Sequence, residues 1–119
     1  METAERPFGG ELAGLEPLNY TSKALANAAV VKTGDGILYG FTVTNTKGSD
    51  QYVLMFDART VPSNGAVPIF GQKVSTVDAI SGLWWPGRTF FAGIVLCNSS
   101  TQGSLTIGAA DCLFDAQYL

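Results

Sequence analysis

Short apolar alternations, each closed by a turn signal, recur along this chain from residue 28 to its last residues, and that rhythm leaves few folds open. Ile37, Tyr39, Phe41 and Val43 alternate with Leu38, Gly40, Thr42 and Thr44, the period of a strand that buries one face. A strand over residues 28–33 precedes it, joined through Gly34-Asp35-Gly36, where glycine supplies a tight turn at little steric cost. Lys47-Gly48-Ser49-Asp50 reads as the next turn, and Tyr52, Leu54, Phe56 and Ala58 form a second alternating face. Residues 37–58 are therefore expected to form a hairpin.

Beyond it, residues 59–68 carry Asn64-Gly65 between two prolines; proline cannot donate to a central ladder, so a loop or sheet edge is expected. Strands are expected over residues 69–75 and, more weakly, 77–84, with Pro86-Gly87 forcing a turn. Residues 90–97 are apolar on both faces, as in a central strand held between layers. Residues 98–103 turn the chain, Leu105 and Ile107 mark a short strand, and Cys112, Phe114, Ala116 and Tyr118 give a last amphipathic one. No helix and no internal repeat is expected. The fold class is all-β: one antiparallel sandwich or jelly roll of seven or eight short strands over residues 25–119. In residues 1–24, Pro7, Gly9, Gly10, Gly14 and Pro17 interrupt both the helical and the strand period, so an extended N-terminal arm is expected there.

With 119 residues the chain has room for one core. Charged residues make up only 14% of it, against roughly 25% in soluble domains generally. All four glutamates (Glu2, Glu5, Glu11, Glu16) fall in the first sixteen residues with Arg6 as their sole basic partner, whereas six bases balance six aspartates in the rest. A neutral, charge-poor body offers no field to steer phosphate backbones or anionic lipids, so neither nucleic acid nor a membrane surface is expected as a partner. The start METAERPFGG lacks the basic and apolar regions of a secretory signal. Apolar runs of about eight residues are far below the roughly twenty that span a bilayer.

Histidine is absent, which removes the commonest general base, the Ser-His and Cys-His pairs and the commonest metal ligand together. The body aspartates sit mostly at turns and strand ends, where capping roles dominate. Cys97 and Cys112 lack the close spacing of zinc sites and are expected as buried free thiols. The glycine-rich stretches at 34–36 and 65–71 lack the Lys-Ser/Thr ending of a phosphate loop and read as turns. A non-enzymatic protein without cofactor or metal is expected. Trp84-Trp85 is the most unusual local feature, since neighbours on a strand face opposite ways and at most one can enter the core. The other is expected at an interface, with Arg88 beside it; an aromatic platform for sugar is the rival use. Asn19-Tyr20-Thr21 and Asn98-Ser99-Ser100 match the glycosylation sequon and are expected to serve as turn chemistry.

The segments AAVVKTGDGILYGFTVTN, QYVLMFDA, VPSNGAVPIF, GRTFFAGIVLCNSS and TIGAADCLFDAQYL together resemble a family of small virion structural proteins of tailed phages and prophages. The resemblance covers about four fifths of the chain and leaves out the arm. It implies a virion protein, made in the bacterial host cytoplasm. Fold-level analogy with small jelly-roll phage proteins adds a place on the capsid surface as a decoration, or cement, subunit. A subunit of that kind is expected to form a homotrimer and to contact the major capsid protein. Its expected partner-binding residues are Pro7, Phe8, Leu12, Leu15, Leu18 and Tyr20 of the arm, together with Trp84, Trp85 and Arg88. The alternative is a tail, fibre or head-appendage adhesin or adaptor that binds a host glycan or a partner subunit.

Overall fold

Eight strands come from these alternations: β1 (Leu18–Thr21), β2 (Ala28–Thr33), β3 (Gly36–Asn45), β4 (Gln51–Asp57), β5 (Phe70–Val74), β6 (Asp78–Phe90), β7 (Gly93–Ser99) and β8 (Cys112–Tyr118). They are seen in a computed structural model that describes residues 16–119. Two four-stranded sheets, ordered β1-β8-β3-β6 and β2-β7-β4-β5, pair antiparallel throughout and pack face to face. The all-β sandwich expected from the chain is the fold. Leu38, Phe41, Val43, Phe114 and Ala116 of the first sheet meet Val53, Met55, Ile94 and Leu96 of the second in one buried cluster. Burial of each large side chain contributes roughly 1.5–3 kcal/mol.

Residues 37–58 are not a hairpin. β3 lies in the first sheet and β4 in the second, so residues 46–50 arch across the core instead of folding one strand beside the other. Both arrangements bury the same alternating faces, which is why period alone did not separate them. What favours the arch is β4 itself, in which every residue from Val53 to Phe56 is buried. Such a strand needs a neighbour on each side and cover on each face. It finds them between β7 and β5.

The cover on the outer face of the second sheet comes from loops. Leu54, Phe56, Val95 and Cys97 point away from the main core into a second cluster with Leu105, flanked by Ala66 and Ile107. The two loops that supply these residues are stitched together: Gly65 N–H donates to the Leu105 carbonyl, Leu105 N–H to the Ala66 carbonyl, and Ile107 N–H to Asn64 Oδ1. This accounts for the doubly apolar β7, all of whose residues are buried. Residues 59–68 are the expected loop, whereas Leu105 and Ile107 do not form a strand; Ile107 makes one isolated bridge to Ser99. The loop stacks its apolar side chains on the sheet, so it needs no ladder of its own.

Two further expectations change. Pro86-Gly87 does not end a strand, because β6 runs from Asp78 through it to Phe90. Leu38 pairs with Arg88 and Gly40 with Leu83, so residues 84–87 bulge opposite Tyr39 alone. The Trp85–Pro86 peptide in the bulge is cis. Gly87 takes φ +118°, and a Cβ there would lie 2.5 Å from Ile37 Cγ2, so the bulge requires glycine twice over. Leu18–Thr21, expected within the arm, is instead an edge strand, with Leu18 opposite Tyr118 and Thr21 opposite Asp115. Four residues are too few to show a period, but β8 offers them an unpaired edge.

Candidate functional site

The two faces of the sandwich are treated differently. The outer face of β2-β7-β4-β5 lies under loops, while that of β1-β8-β3-β6 carries no second layer among the described residues. Its outward side chains are short and uncharged over much of β3 and β6: Thr42 and Ser81 share a hydroxyl hydrogen bond of 2.8 Å across the strands. At the bulge the character changes to apolar. Leu83 is 86% and Trp85 91% exposed, and with Pro17, Tyr39, Trp84 and Pro86 they line a trough of about 420 Å³. A shallow surface made of aromatic rings, a leucine and two prolines has little to offer a charged ligand and suits an apolar one.

Trp84 anchors this trough from beneath. Its ring packs edge to face on Phe70 of β5, with centroids 5.4 Å apart, and lies 5.5 Å from Phe41 of β3. β6 and β5 are the edge strands of the two sheets, so this aromatic trio closes the side of the sandwich where no strand follows. Arg88 completes it: its guanidinium stands 5.9 Å from the Trp84 ring centroid and Nη2 donates to the Ile69 carbonyl at 3.4 Å. Cation–π attraction and the hydrogen bond both direct Arg88 inward, toward Trp84 and the start of β5.

The sequence-derived candidates therefore separate. Trp84 and Trp85 do face opposite ways, one into the core and one into solvent, and Trp85 lies in the trough. Arg88 is half-buried and engaged in structure. Tyr20 packs against the main core and Leu18 lies on the β1 edge, 56% exposed. Pro7, Phe8, Leu12 and Leu15 lie outside the described residues. Four trough residues, Pro17, Tyr39, Leu83 and Pro86, were not singled out from the sequence. Leu83 had a usable signal, since it stands two residues before Trp85 and shares its face on a strand. The two sequons are not turns: Asn19 lies in β1 and Asn98 in β7, where it is buried.

Other polar groups are spent on the scaffold. The Asp57 carboxylate accepts from the backbone N–H groups of Phe91, Ala92 and Gly93, with the Ala92 bond at 2.6 Å. Burial alone would raise its pKa, but these three bonds outweigh it and hold the carboxyl below its ordinary value. The turn so pinned presents Phe91 outward, 78% exposed. Asp50 accepts from Thr76 N–H and pairs with Lys73 at 3.2 Å. Among the described residues no three of His, Cys, Asp and Glu converge as metal ligands would.

No protein-family model matches the chain, and no curated protein matches it. Among solved structures it is similar to the coat protein of tobacco streak virus, over 86% of each chain, at 9% identity and a TM-score of 0.43. It is also similar to PirA, over 86% of this chain and 93% of that one, at 10% identity and a TM-score of 0.35.

Proposed function

We propose that this chain is a non-enzymatic structural protein of a tailed-phage virion, and that within the particle it is a decoration subunit which binds copies of itself, as a homotrimer, and the capsid shell. The resemblance of residues 27–119 to small phage virion proteins supports the class. The observation that carries the role is the unequal treatment of the two sheet faces: loops seal one, while the other is open among the described residues, poor in charge and bordered by the apolar Leu83–Trp85 trough. A subunit that works alone in water gains nothing from two large apolar groups held more than four fifths exposed, whereas one that packs against copies and a shell buries them on assembly. Closed symmetry multiplies such contacts, so each can be weak.

Cryo-EM of the purified particle tests this. Regular copies on the shell are the expected result, and density confined to the tail or fibre tips would sink the decoration role. An adhesin reading has one observation in its favour, the pairing of Trp85 with Tyr39 in an open trough, which is the kind of surface on which sugar rings stack. Binding to a host-glycan array that is lost in Trp85→Ala would favour it; the mostly apolar lining speaks for a protein partner.

A further inference from the structure

We propose that Asn64-Gly65 is a self-modification site: the backbone nitrogen of Gly65 closes on the Asn64 side chain, ammonia leaves, and the imide so formed opens to aspartate or isoaspartate. The fold holds this reaction shut while the two loops over the second sheet stay together and releases it when they part. The inference stands on those loops alone and is independent of the virion role.

The residue types are the first argument. Each of the other asparagines precedes a residue with a side chain, namely Tyr20, Ala28, Thr46 or Ser99. Asn64 precedes glycine, which has no Cβ to hinder the approach of its nitrogen to Cγ. Both residues lie exposed at the corner of a turn that Ala66 N–H closes by donating to the Ser63 carbonyl at 3.2 Å. Gly65 takes φ +95°, in the left-handed region, so the turn itself keeps glycine at this position. The reaction needs no reagent beyond water. Gly65 N gives up its proton to hydroxide and bonds to Asn64 Cγ, the Cγ–Nδ2 bond breaks, and ammonia departs. Water then opens the imide ring. Attack at Cγ restores the main chain with aspartate in place of Asn64; attack at the Asn64 backbone carbonyl carbon gives isoaspartate, with the main chain rerouted through Cγ.

What the fold adds is a restraint on both reacting groups. Gly65 N–H donates to the Leu105 carbonyl at 2.8 Å, which occupies the proton that must be lost and points the nitrogen at the other loop. Asn64 Oδ1 accepts from Ile107 N–H at 2.9 Å, which fixes the carboxamide there too. Leu105 N–H donates in turn to the Ala66 carbonyl at 2.8 Å. These bonds join segments distant in sequence around one buried side chain, Leu105, so they open together. The rate of conversion therefore reads the fraction of time the loops spend apart. The two products differ in consequence. Aspartate keeps a side-chain oxygen for Ile107 N–H, whereas isoaspartate inserts an extra main-chain atom ahead of Gly65 and moves its N–H off the Leu105 carbonyl. The isoaspartyl chain thus loses the stitch, and with it the cover over Leu54, Phe56, Val95 and Cys97.

The measurement is peptide mapping by mass spectrometry of the full chain held at pH 8, folded in buffer and unfolded in urea, with enzymatic methylation as the assay for isoaspartate. Asn64→Gln is the control for position. Leu105→Ala, checked for folding by circular dichroism, loosens the loops. The expected result is conversion of Asn64 severalfold faster in urea than in the folded chain, with Leu105→Ala between the two and none at this position in Asn64→Gln. In the isoaspartyl chain Cys97 should react with a thiol reagent while Cys112, in the main core, does not. Equal rates in the folded and unfolded chain overturn the restraint, and no conversion in urea overturns the site. An isoaspartyl chain whose Cys97 stays closed overturns the loss of cover. The comparison of folded with unfolded chain needs no variant, so it decides the restraint even where Leu105→Ala fails to fold.

Discussion

The rings of Trp84 and Phe70 stand 5.4 Å apart, edge to face, and this one contact joins the edge strand of one sheet to the edge strand of the other. Trp85, the next residue, contributes nothing to that seam. Trp84→Ala should therefore cost about 2–4 kcal/mol, because it opens a cavity between Phe41 and Phe70 and removes the ring beneath Arg88. Trp85→Ala should change folding stability by no more than about 0.5 kcal/mol, yet weaken self-association or shell occupancy. Urea midpoints set beside sedimentation measurements separate the two; equal destabilisation by both variants would contradict the division of roles.

Asp57 governs the β6–β7 turn. Its carboxyl is held below the ordinary value of 3.8 by the N–H groups of Phe91, Ala92 and Gly93, against the opposing effect of burial. A depressed folded pKa contributes stability that is present above the unfolded value and lost as pH falls through the folded one. Unfolding followed from pH 6 down to pH 2 should show this loss below about pH 4, and Asp57→Asn should remove part of it. At neutral pH Asp57→Ala should cost about 1–2 kcal/mol, a figure discounted for the partial exposure of the group.

Asn45 holds the arch that replaces the expected hairpin. Buried to 1% exposure, it donates through Nδ2 to the carbonyls of Ser49, Val74 and Ser75 at 3.0–3.3 Å, and its Oδ1 accepts from Lys47 N–H at 3.0 Å. Asn45→Ala should lower stability by about 2–3 kcal/mol, since it strips partners from buried carbonyls. Asn45→Asp should cost more at pH 7, where it sets a negative charge against those carbonyls, and should recover in part in acid. A denaturation series at pH 7 and pH 4 reads both effects.

The thiols are buried on different layers, Cys97 under the loops and Cys112 in the main core. Burial pushes Cys97 up to about 12, and burial followed by the neighbouring Asp111 carboxylate pushes Cys112 up to about 11, from an ordinary 9.0. Neither should react with a thiol reagent at pH 8 until the chain is unfolded, when both should. Their raised folded values mean that the stability they contribute is full below pH 9.0 and falls as pH rises toward 11 to 12, because the unfolded chain ionises first. Stability at pH 8 and at pH 10.5 should differ in that sense, and less so in the Cys97→Ala, Cys112→Ala double variant.

Much of this was legible in the chain before any fold was seen. Period-two alternation placed β3, β4 and β8, an unbroken apolar run placed β7, and flanking turn signals placed β2 and β5, each within a few residues, while the absence of histidine and of paired carboxylates pointed to surfaces. The adjacency of two tryptophans required that one face out. Those features are local: a strand's alternation is written in its own residues and reports which face is dry. The trough was only half legible, because Trp85 announces itself while Tyr39 comes to it from β3 and Pro17 from the residue before β1.

Which strands pair was a matter for the tertiary structure. A hairpin and an arch over residues 37–58 bury identical side chains, and the choice fell to β4, whose second apolar face had to be covered by two loops joined where Asn64 meets Ile107, 43 residues apart in sequence. Pro86-Gly87 would end an isolated strand, but pairing with β3 on both sides of the bulge carries β6 through it to Phe90. Leu18–Thr21 has no strand period of its own and becomes β1 only because β8 presents a free ladder of hydrogen-bonding groups. Local sequence sets which faces must be dry; the partner that dries them is decided by long-range geometry, where several pairings satisfy the same pattern and one covers both apolar faces of β4 and β7.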